Sequence, residues 1–142
     1  MRRKILVVED DPDQLEVIHL SFKAAGFAIG TAANGTEALV KTRSISPDLI
    51  ILDLILPGLN GFDVCESLRR DPATASVPII MLTGMRSQFG RFAGLESGAN
   101  DFLLKPFNPD QLISKVEKLL NRFCGASNGD RIQTGPRQSP VA

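Results

Sequence analysis

The sequence lacks an excess of positive charge. Lysine plus arginine and aspartate plus glutamate both total 16, so the formal net charge is zero. A nucleic-acid-binding domain normally carries a basic face, and the one basic cluster here, Arg2-Arg3-Lys4, only flanks an apolar run. We therefore expect no direct binding of nucleic acid by this chain.

Residues that bind metals through nitrogen or sulfur are also scarce. His19 is the single histidine, and Cys65 and Cys124 form no CxxC or Cys/His ligand pattern. We expect His19 and Cys65 to be ordinary helix residues, and lone thiols are typical of a reducing compartment. An apolar run of membrane-spanning length and the apolar stretch of a signal peptide are both missing. The sequence thus predicts a cytoplasmic protein without a membrane segment.

Five short apolar runs alternate with five stretches of helical spacing. The runs cover residues 4–8, 27–32, 49–52, 77–82 and 102–104. The first is continuous rather than alternating, which is typical of a parallel strand buried on both faces. The alternation of strands and helices predicts an α/β domain with right-handed crossovers and helices on both faces of the sheet.

Local signals mark the helix boundaries and the loops. Asp11-Pro12 predicts the N-cap and first residue of a helix, and Gly26 predicts its end. Asn34-Gly35 predicts a turn, and Asn60-Gly61 predicts a loop before the third helix. A fourth helix, from about residue 87 to 97, contains two glycines and is expected to be the loosest.

The composition changes near residue 123. Residues 124–142 contain glycines, prolines and polar residues, with almost nothing to bury. We expect one domain over residues 1–123, followed by a disordered tail or a linker over residues 124–142.

Polar residues follow the predicted strands. Glu9 and Asp10 come after the first, Asp53 after the third, Thr83 after the fourth and Lys105 after the fifth. Ligands of open α/β sheets bind at the carboxyl ends of the strands, where three crowded carboxylates would favour a cation such as Mg²⁺. The set suits a phosphoryl-binding site without a P-loop, although the first two acids alone could simply cap a helix.

Five separated motifs resemble the receiver domains of two-component response regulators, and the resemblance covers residues 3–122. The motifs are residues 5–11, 48–53, 56–61, 81–83 and 105–107. The resemblance implies a chemotaxis-receiver-like, flavodoxin-like fold: a doubly wound five-stranded parallel sheet of order 2-1-3-4-5 with five helices.

The resemblance also implies roles at the acidic edge. Asp53 would be the phosphoacceptor, receiving a phosphoryl group from a histidine kinase or phosphotransfer protein. Asp10 and Asp53 would be direct Mg²⁺ ligands, and Glu9 would act through metal-bound water. The backbone carbonyl of Ile55 would complete the set of protein ligands. Asp11, one place further on, is better explained as the helix cap.

The remaining implied roles concern catalysis and switching. Thr83 and Lys105 would bind phosphoryl oxygens, and Thr83 and Phe102 would form the conformational switch. The Lys105–Pro106 bond would be cis. The domain would catalyse only its own phosphorylation and dephosphorylation, and would not be an enzyme acting on other substrates.

Two other function classes remain as alternatives. Phosphatases of the haloacid-dehalogenase type also end an apolar strand in aspartate, but they place a second aspartate two residues on, where this chain has Ile55. A receiver-like interaction module without phosphate turnover would not need Asp10, Asp53, Thr83 and Lys105 together.

A homodimer is a further alternative. Receivers of winged-helix regulators, which this chain resembles closely around residues 94–96, pair through the face of the fourth helix, fifth strand and fifth helix. Asp101 with Lys115 could keep one cross-subunit ion pair, whereas Glu117 would face Glu96 with like charge.

Overall fold

The computed structural model describes residues 2–84 and 97–123, which form a parallel sheet flanked by helices. The strands are β1 (Lys4–Val8), β2 (Ala28–Ala32), β3 (Leu49–Asp53), β4 (Ile79–Thr83) and β5 (Asp101–Leu104). The helices are α1 (Pro12–Ala24), α2 (Gly35–Ile45), α3 (Gly61–Arg70) and α4 (Pro109–Phe123). The strand order is β2-β1-β3-β4-β5, with every neighbouring pair parallel. The predicted flavodoxin-like α/β fold and its strand order are confirmed.

Both faces of the central strands are buried, which explains their continuous apolar sequences. All five residues of β3 and of β4 are buried. Successive residues alternate between two core clusters: Ile50 and Leu52 pack on one face, Leu49 and Ile51 on the other. A strand covered on both faces needs apolar residues at every position, not at every second one.

The helices cover the two faces in pairs. The first core cluster takes side chains from α2 and α3, among them Ala38, Val64 and Leu68. The second takes side chains from α1 and α4, among them Phe22 and Val116. The sheet is therefore sandwiched between two helical layers, as expected for a doubly wound domain.

The first helix begins and ends where the sequence predicts. Asp11 is the N-cap of α1, and its side chain accepts a hydrogen bond of 3.0 Å from the amide of Asp13. Pro12 occupies the first turn, where its missing N–H costs nothing. Gly26 has φ of 97°, a left-handed conformation that glycine adopts easily, and it follows the end of the helix.

The two Asn-Gly pairs have a role that differs from the predicted turn and loop. Asn34 and Asn60 are the N-caps of α2 and α3, and Gly35 and Gly61 are the first residues of those helices. The asparagine side chains accept hydrogen bonds from backbone amides three residues on, at 2.8 and 3.0 Å. An asparagine that can bend a turn can equally satisfy the free amides of a helix start.

Some predictions lie outside the described residues. The predicted fourth helix, from about residue 87 to 97, lies outside the described residues except for Ser97, which is in a turn. The predicted tail, residues 124–142, and with it Cys124, also lies outside. Cys65 is completely buried on α3, as expected. No helix in the described ranges is long and apolar enough to cross a bilayer.

Gly61 allows the start of α3 to lie directly on the end of β3. Its amide donates a 2.7 Å hydrogen bond to the Leu54 carbonyl. A Cβ at this position would lie 2.7 Å from the Asp53 carbonyl oxygen and 2.8 Å from Leu54 Cα. These are backbone atoms, so a larger residue cannot be accommodated by moving a side chain.

We predict that Gly61→Ala lowers the free energy of unfolding by roughly 1–3 kcal/mol, the usual cost of overpacking. Gly84→Ala is the matched control, because no atom of the described residues lies within 4 Å of a Cβ there, and it should lose no stability. Urea unfolding of both variants checks this. Equal unfolding free energies for the two variants would contradict the close-packing argument.

Candidate functional site

The strand registers bring the predicted polar residues to one edge of the sheet. Val8 lies opposite Leu52, and Asp53 lies opposite Leu82. Thr83 lies opposite Leu104, the residue before the lysine. Glu9 and Asp10, Asp53, Thr83 and Lys105 therefore stand at the carboxyl ends of four neighbouring strands, the edge where ligands of such sheets bind.

Lys105 joins two buried carboxylates. Its Nζ lies 3.0 Å from Asp53 Oδ2 and 3.1 Å from Glu9 Oε1. The side chains of Glu9 and Asp53 are 1% and 5% exposed, whereas that of Lys105 is 24% exposed. Lys105 thus pairs with both acids at once, and its side chain stays partly exposed to solvent.

Backbone amides complete the partners of the two buried acids. Asp53 Oδ1 accepts a hydrogen bond of 3.3 Å from the Ile55 amide, and Glu9 Oε2 accepts one of 3.3 Å from the Asp11 amide. The Ile55 side chain itself is 66% exposed beside the site. Each acid therefore has both oxygens engaged, which holds its orientation.

The acidic cluster can hold a metal ion. Glu9, Asp10 and Asp53 each offer a carboxylate oxygen, and these oxygens lie within 4.8 Å of one another. Asp10 is exposed, so the cluster opens to solvent on its side. Oxygen ligands with room for water are what a hard cation such as Mg²⁺ requires, and the residues present fit that ion.

The pKa values of two groups reflect this crowding. Burial, a hydrogen bond to Asp53 and the negative charge of Asp53 raise the pKa of Glu9 to about 7, although the Asp11 amide and Lys105 act against them. Burial alone would lower the pKa of Lys105, but hydrogen bonding and attraction from Asp53 and then Glu9 raise it. The lysine is therefore fully charged at neutral pH, whereas Glu9 ionises near it.

The two residues of the expected switch lie on β4 and β5. Thr83 is 3% exposed, and its carbonyl accepts a 2.8 Å hydrogen bond from the Lys105 amide. Phe102 is 9% exposed and packs in the core cluster shared with α2 and α3. The Lys105–Pro106 peptide bond is cis, the isomer that the resemblance implies.

Sequence reasoning placed the five polar residues at one edge but missed two features of the site. It assigned Glu9 only to a metal-bound water, whereas the structure pairs its carboxylate with Lys105. It also missed Gly61, whose close contact with the Asp53 backbone fixes the end of β3. The role of Gly61 could have been suggested by its position in the sequence, because it is a glycine at the start of a helix that follows a strand ending in aspartate.

Residues 5–117 match the sequence family described as the response regulator receiver domain. This chain belongs to that family. The receiver domain is 44% identical over 122 residues to the DNA-binding response regulator MtrA of Mycolicibacterium smegmatis, covering 86% of this chain and 52% of that protein. It is 36% identical over 138 residues to the DNA-binding dual master transcriptional regulator RpaA of Synechocystis, covering 97% of this chain and 55% of that one.

Solved structures give the same assignment. The receiver domain is similar to the chemotaxis response regulator CheY4 of Vibrio cholerae, with a TM-score of 0.80 and 32% identity over 84% of this chain and 100% of that one. The chain spans about half the length of the curated relatives that it matches. It corresponds to the receiver domain of a two-component response regulator.

The raised pKa of Glu9 predicts a specific dependence of stability on pH. The unfolded chain releases this proton near the ordinary value of 4.5, whereas the folded protein keeps it up to about 7. Stability is therefore lost as the pH rises between those values. In Glu9→Gln this loss is absent, so without metal at pH 8 the variant should be more stable than wild type by on the order of 1–3 kcal/mol.

Chemical denaturation of both proteins at pH 4 to 8, in buffer containing a chelator, checks this prediction. The quantity to compare is the difference in unfolding free energy between wild type and variant, because groups remote from Glu9 titrate equally in both. A difference that stays constant over this range would contradict the raised pKa.

Proposed function

We propose that this receiver domain accepts a phosphoryl group on Asp53 from a phosphohistidine of a histidine kinase or phosphotransfer protein. The observation that carries the proposal is the contact of Lys105 Nζ with Asp53 Oδ2, at 3.0 Å, beside the acidic cluster. In the reaction an Asp53 oxygen bonds to phosphorus as the phosphorus–nitrogen bond breaks, and the departing imidazole keeps the electron pair.

The surroundings of Asp53 suit this reaction. Its carboxylate is held from both sides, by the Ile55 amide and by Lys105, so it is oriented before the donor arrives. Lys105 would pair with the charge on the transferring phosphoryl oxygens, and the Thr83 hydroxyl would donate to one of them. The protein's contribution is then positioning and fixed charge, as in other phosphoryl transfers.

The acidic cluster would hold Mg²⁺. Asp10 and Asp53 would bind it directly, with Glu9 acting through a water and Ile55 through its carbonyl, as the family resemblance implies. When bound, the ion would neutralise negative charge on the phosphoryl oxygens. The exposed Asp10 on one side and the buried pair on the other leave the cluster accessible to solvent and donor.

We propose that phosphorylation is transmitted through Thr83 and Phe102. A phosphoryl group on Asp53 would offer acceptor oxygens to Thr83, which is one position beyond the residue opposite Asp53 in the sheet. Phe102, paired with Met81 on the same strand as Thr83, would repack when that threonine moves. The resulting change in surface would control an output partner or domain.

We propose that the domain catalyses only its own phosphorylation and dephosphorylation. A dehalogenase-type phosphatase would need a second acid two residues after Asp53, and the exposed Ile55 there carries no proton to donate. The zero net charge gives no support for direct DNA binding by this chain. The names of MtrA and RpaA refer to whole proteins, of which the region matched by this chain is only about half.

Homodimerisation through the face containing β5 and α4 stays a prediction. Asp101 and Lys115, the candidates for a cross-subunit ion pair, contact each other within this chain at 3.1 Å. A dimer built on them would have to exchange that contact for the same contact across the interface. The monomer thus already contains this ion pair.

We predict that Asp53→Asn abolishes phosphorylation by acetyl phosphate and Mg²⁺, because the amide is not a nucleophile. Asp63→Asn, a change at an exposed aspartate in the first turn of α3, should be labelled like wild type. Intact-protein mass spectrometry and peptide mapping check both. Phosphorylation of Asp53→Asn at the wild-type level would refute the proposed function.

Substitutions of the adjacent residues Asp10 and Asp11 should separate metal binding from helix capping. We predict that Asp10→Asn lowers Mg²⁺ affinity, since it removes a ligand. Asp11→Ala should keep that affinity and lose about 1 kcal/mol of stability with the cap. Calorimetric Mg²⁺ titration and thermal unfolding measure the two effects. Equal losses of Mg²⁺ affinity would show that the acidic pair is misassigned.

A further inference from the structure

Arg69 lies near the end of α3. All three nitrogens of its guanidinium group donate hydrogen bonds to the loops that precede β4 and β5. Nε donates to the Gly98 carbonyl at 2.9 Å, and Nη1 donates to the carbonyls of Val77 and Ala75 at 2.7 and 3.1 Å. Nη2 donates to Asn100 Oδ1 at 2.8 Å. All four acceptors are uncharged oxygens, so this guanidinium serves as a rigid fork that joins backbone segments.

The turn before β5 is shaped around this side chain. Gly98 has φ of 111°, which disfavours any residue with a side chain. A Cβ there would also lie 2.7 Å from Arg69 Cγ and 3.2 Å from its Nε. Two independent reasons therefore require glycine at this position, and the second is the presence of Arg69.

Asn100 connects Arg69 to the sheet through hydrogen bonds. The oxygen that accepts from Arg69 also accepts a 2.8 Å hydrogen bond from the Ile79 amide. The Asn100 amide in turn donates to the Ile79 carbonyl at 2.8 Å. Ile79 begins β4, and the residue after Asn100 begins β5. The guanidinium thus fixes the start of one strand against the start of the other.

The other end of β5 carries the functional side chains. The strand has only four residues, paired from Ile80–Asp101 to Thr83–Leu104. The next residue, Lys105, donates its amide to Thr83. A slip of one residue would move the end of the strand by about 3.3 Å and turn Phe102 to the opposite face.

We infer that Arg69 is a positioning residue for the phosphoryl-transfer site, acting through β5 on Lys105 and Phe102. The inference rests on the proposed function. The acidic cluster depends instead on the pairing of β1 with β3, at Val8 and Leu52, whereas the hydrogen bonds of Arg69 go to the loops before β4 and β5. Loss of the guanidinium should therefore disturb the chemistry that needs Lys105 and spare the binding of Mg²⁺.

Arg69→Gln tests this separation. We expect the rate of phosphorylation by acetyl phosphate, at saturating Mg²⁺ and donor, to fall roughly tenfold or more, as is usual when a reacting group is misplaced. The affinity for Mg²⁺ alone should not fall. A residue that merely stabilises the domain would lower both together.

Two variants provide matched controls, one for charge and one for stability. Arg70→Gln removes the same charge from a side chain that is 79% exposed and contacts only Glu66, at 3.8 Å, among the residues described. Phe27→Ala removes a buried ring that packs against Phe22 in the core cluster on the other face of the sheet, so it lowers stability away from Arg69 and the turn. Both variants should keep the wild-type rate when assayed well below their unfolding temperatures.

Asn100→Ala provides an independent variant on the same route. It should reproduce the defect in rate, and combining it with Arg69→Gln should add little, because residues in one hydrogen-bond network are not additive. Full additivity of the two, or a loss of rate in Phe27→Ala equal to that in Arg69→Gln, would overturn the inference.

The inference and the proposed function fail in different ways. If wild type takes up no phosphoryl group, the proposed function is refuted, and hydrogen exchange of the Lys105 amide still decides the role of Arg69. Faster exchange in Arg69→Gln than in Phe27→Ala supports the positioning of β5. Equal exchange rates in the two variants overturn it.

Discussion

The burial of two carboxylates around one ammonium group is the interaction on which the arrangement of this domain depends. Ions removed from water cost several kcal/mol each unless they are paired and hydrogen-bonded. Lys105 pairs with Asp53 and Glu9 at once, and two backbone amides bind their remaining oxygens. With Asp10 the site still holds three acids against one base, a formal charge of −2. A divalent cation would balance that charge, and in its absence Glu9 retains its proton up to a pKa of about 7.

No local segment could build this group, because Lys105 is 96 residues from Glu9 and 52 from Asp53 along the chain. Only the pairing of parallel strands brings their carboxyl ends level. Gly61 adds to this by letting α3 begin directly on the backbone of Asp53. The chemistry of the site is thus inseparable from the sheet register, and the apolar runs that drive sheet formation also place the acids.

Much of this was predictable from the sequence, for identifiable reasons. Each strand is an apolar run ended by a polar residue, so the sheet and its polar edge could be predicted, although the strand order came only from the family resemblance. The Asn-Gly pairs were mistaken for a turn and a loop, because the asparagine side chain serves turns and helix caps equally well. Arg69 could not be predicted. Its partners are mainly backbone carbonyls 6 to 29 residues away, and in the sequence it resembles any solvated arginine at a helix end.

The two ends of β5 have different roles at the site. At one end Lys105 contacts the group that would change on phosphorylation, and at the other Arg69 and Asn100 bind the strand to α3 and β4. A strand held at both ends would transmit no change, whereas a strand held at one end can respond at the other. Phosphorylation of Asp53 would draw Lys105 and Thr83 toward new oxygens, and Phe102 lies between them and the fixed end. The fixed end would confine the rearrangement to these residues, so that a local change in charge repacks one aromatic side chain and leaves the rest of the sheet in register.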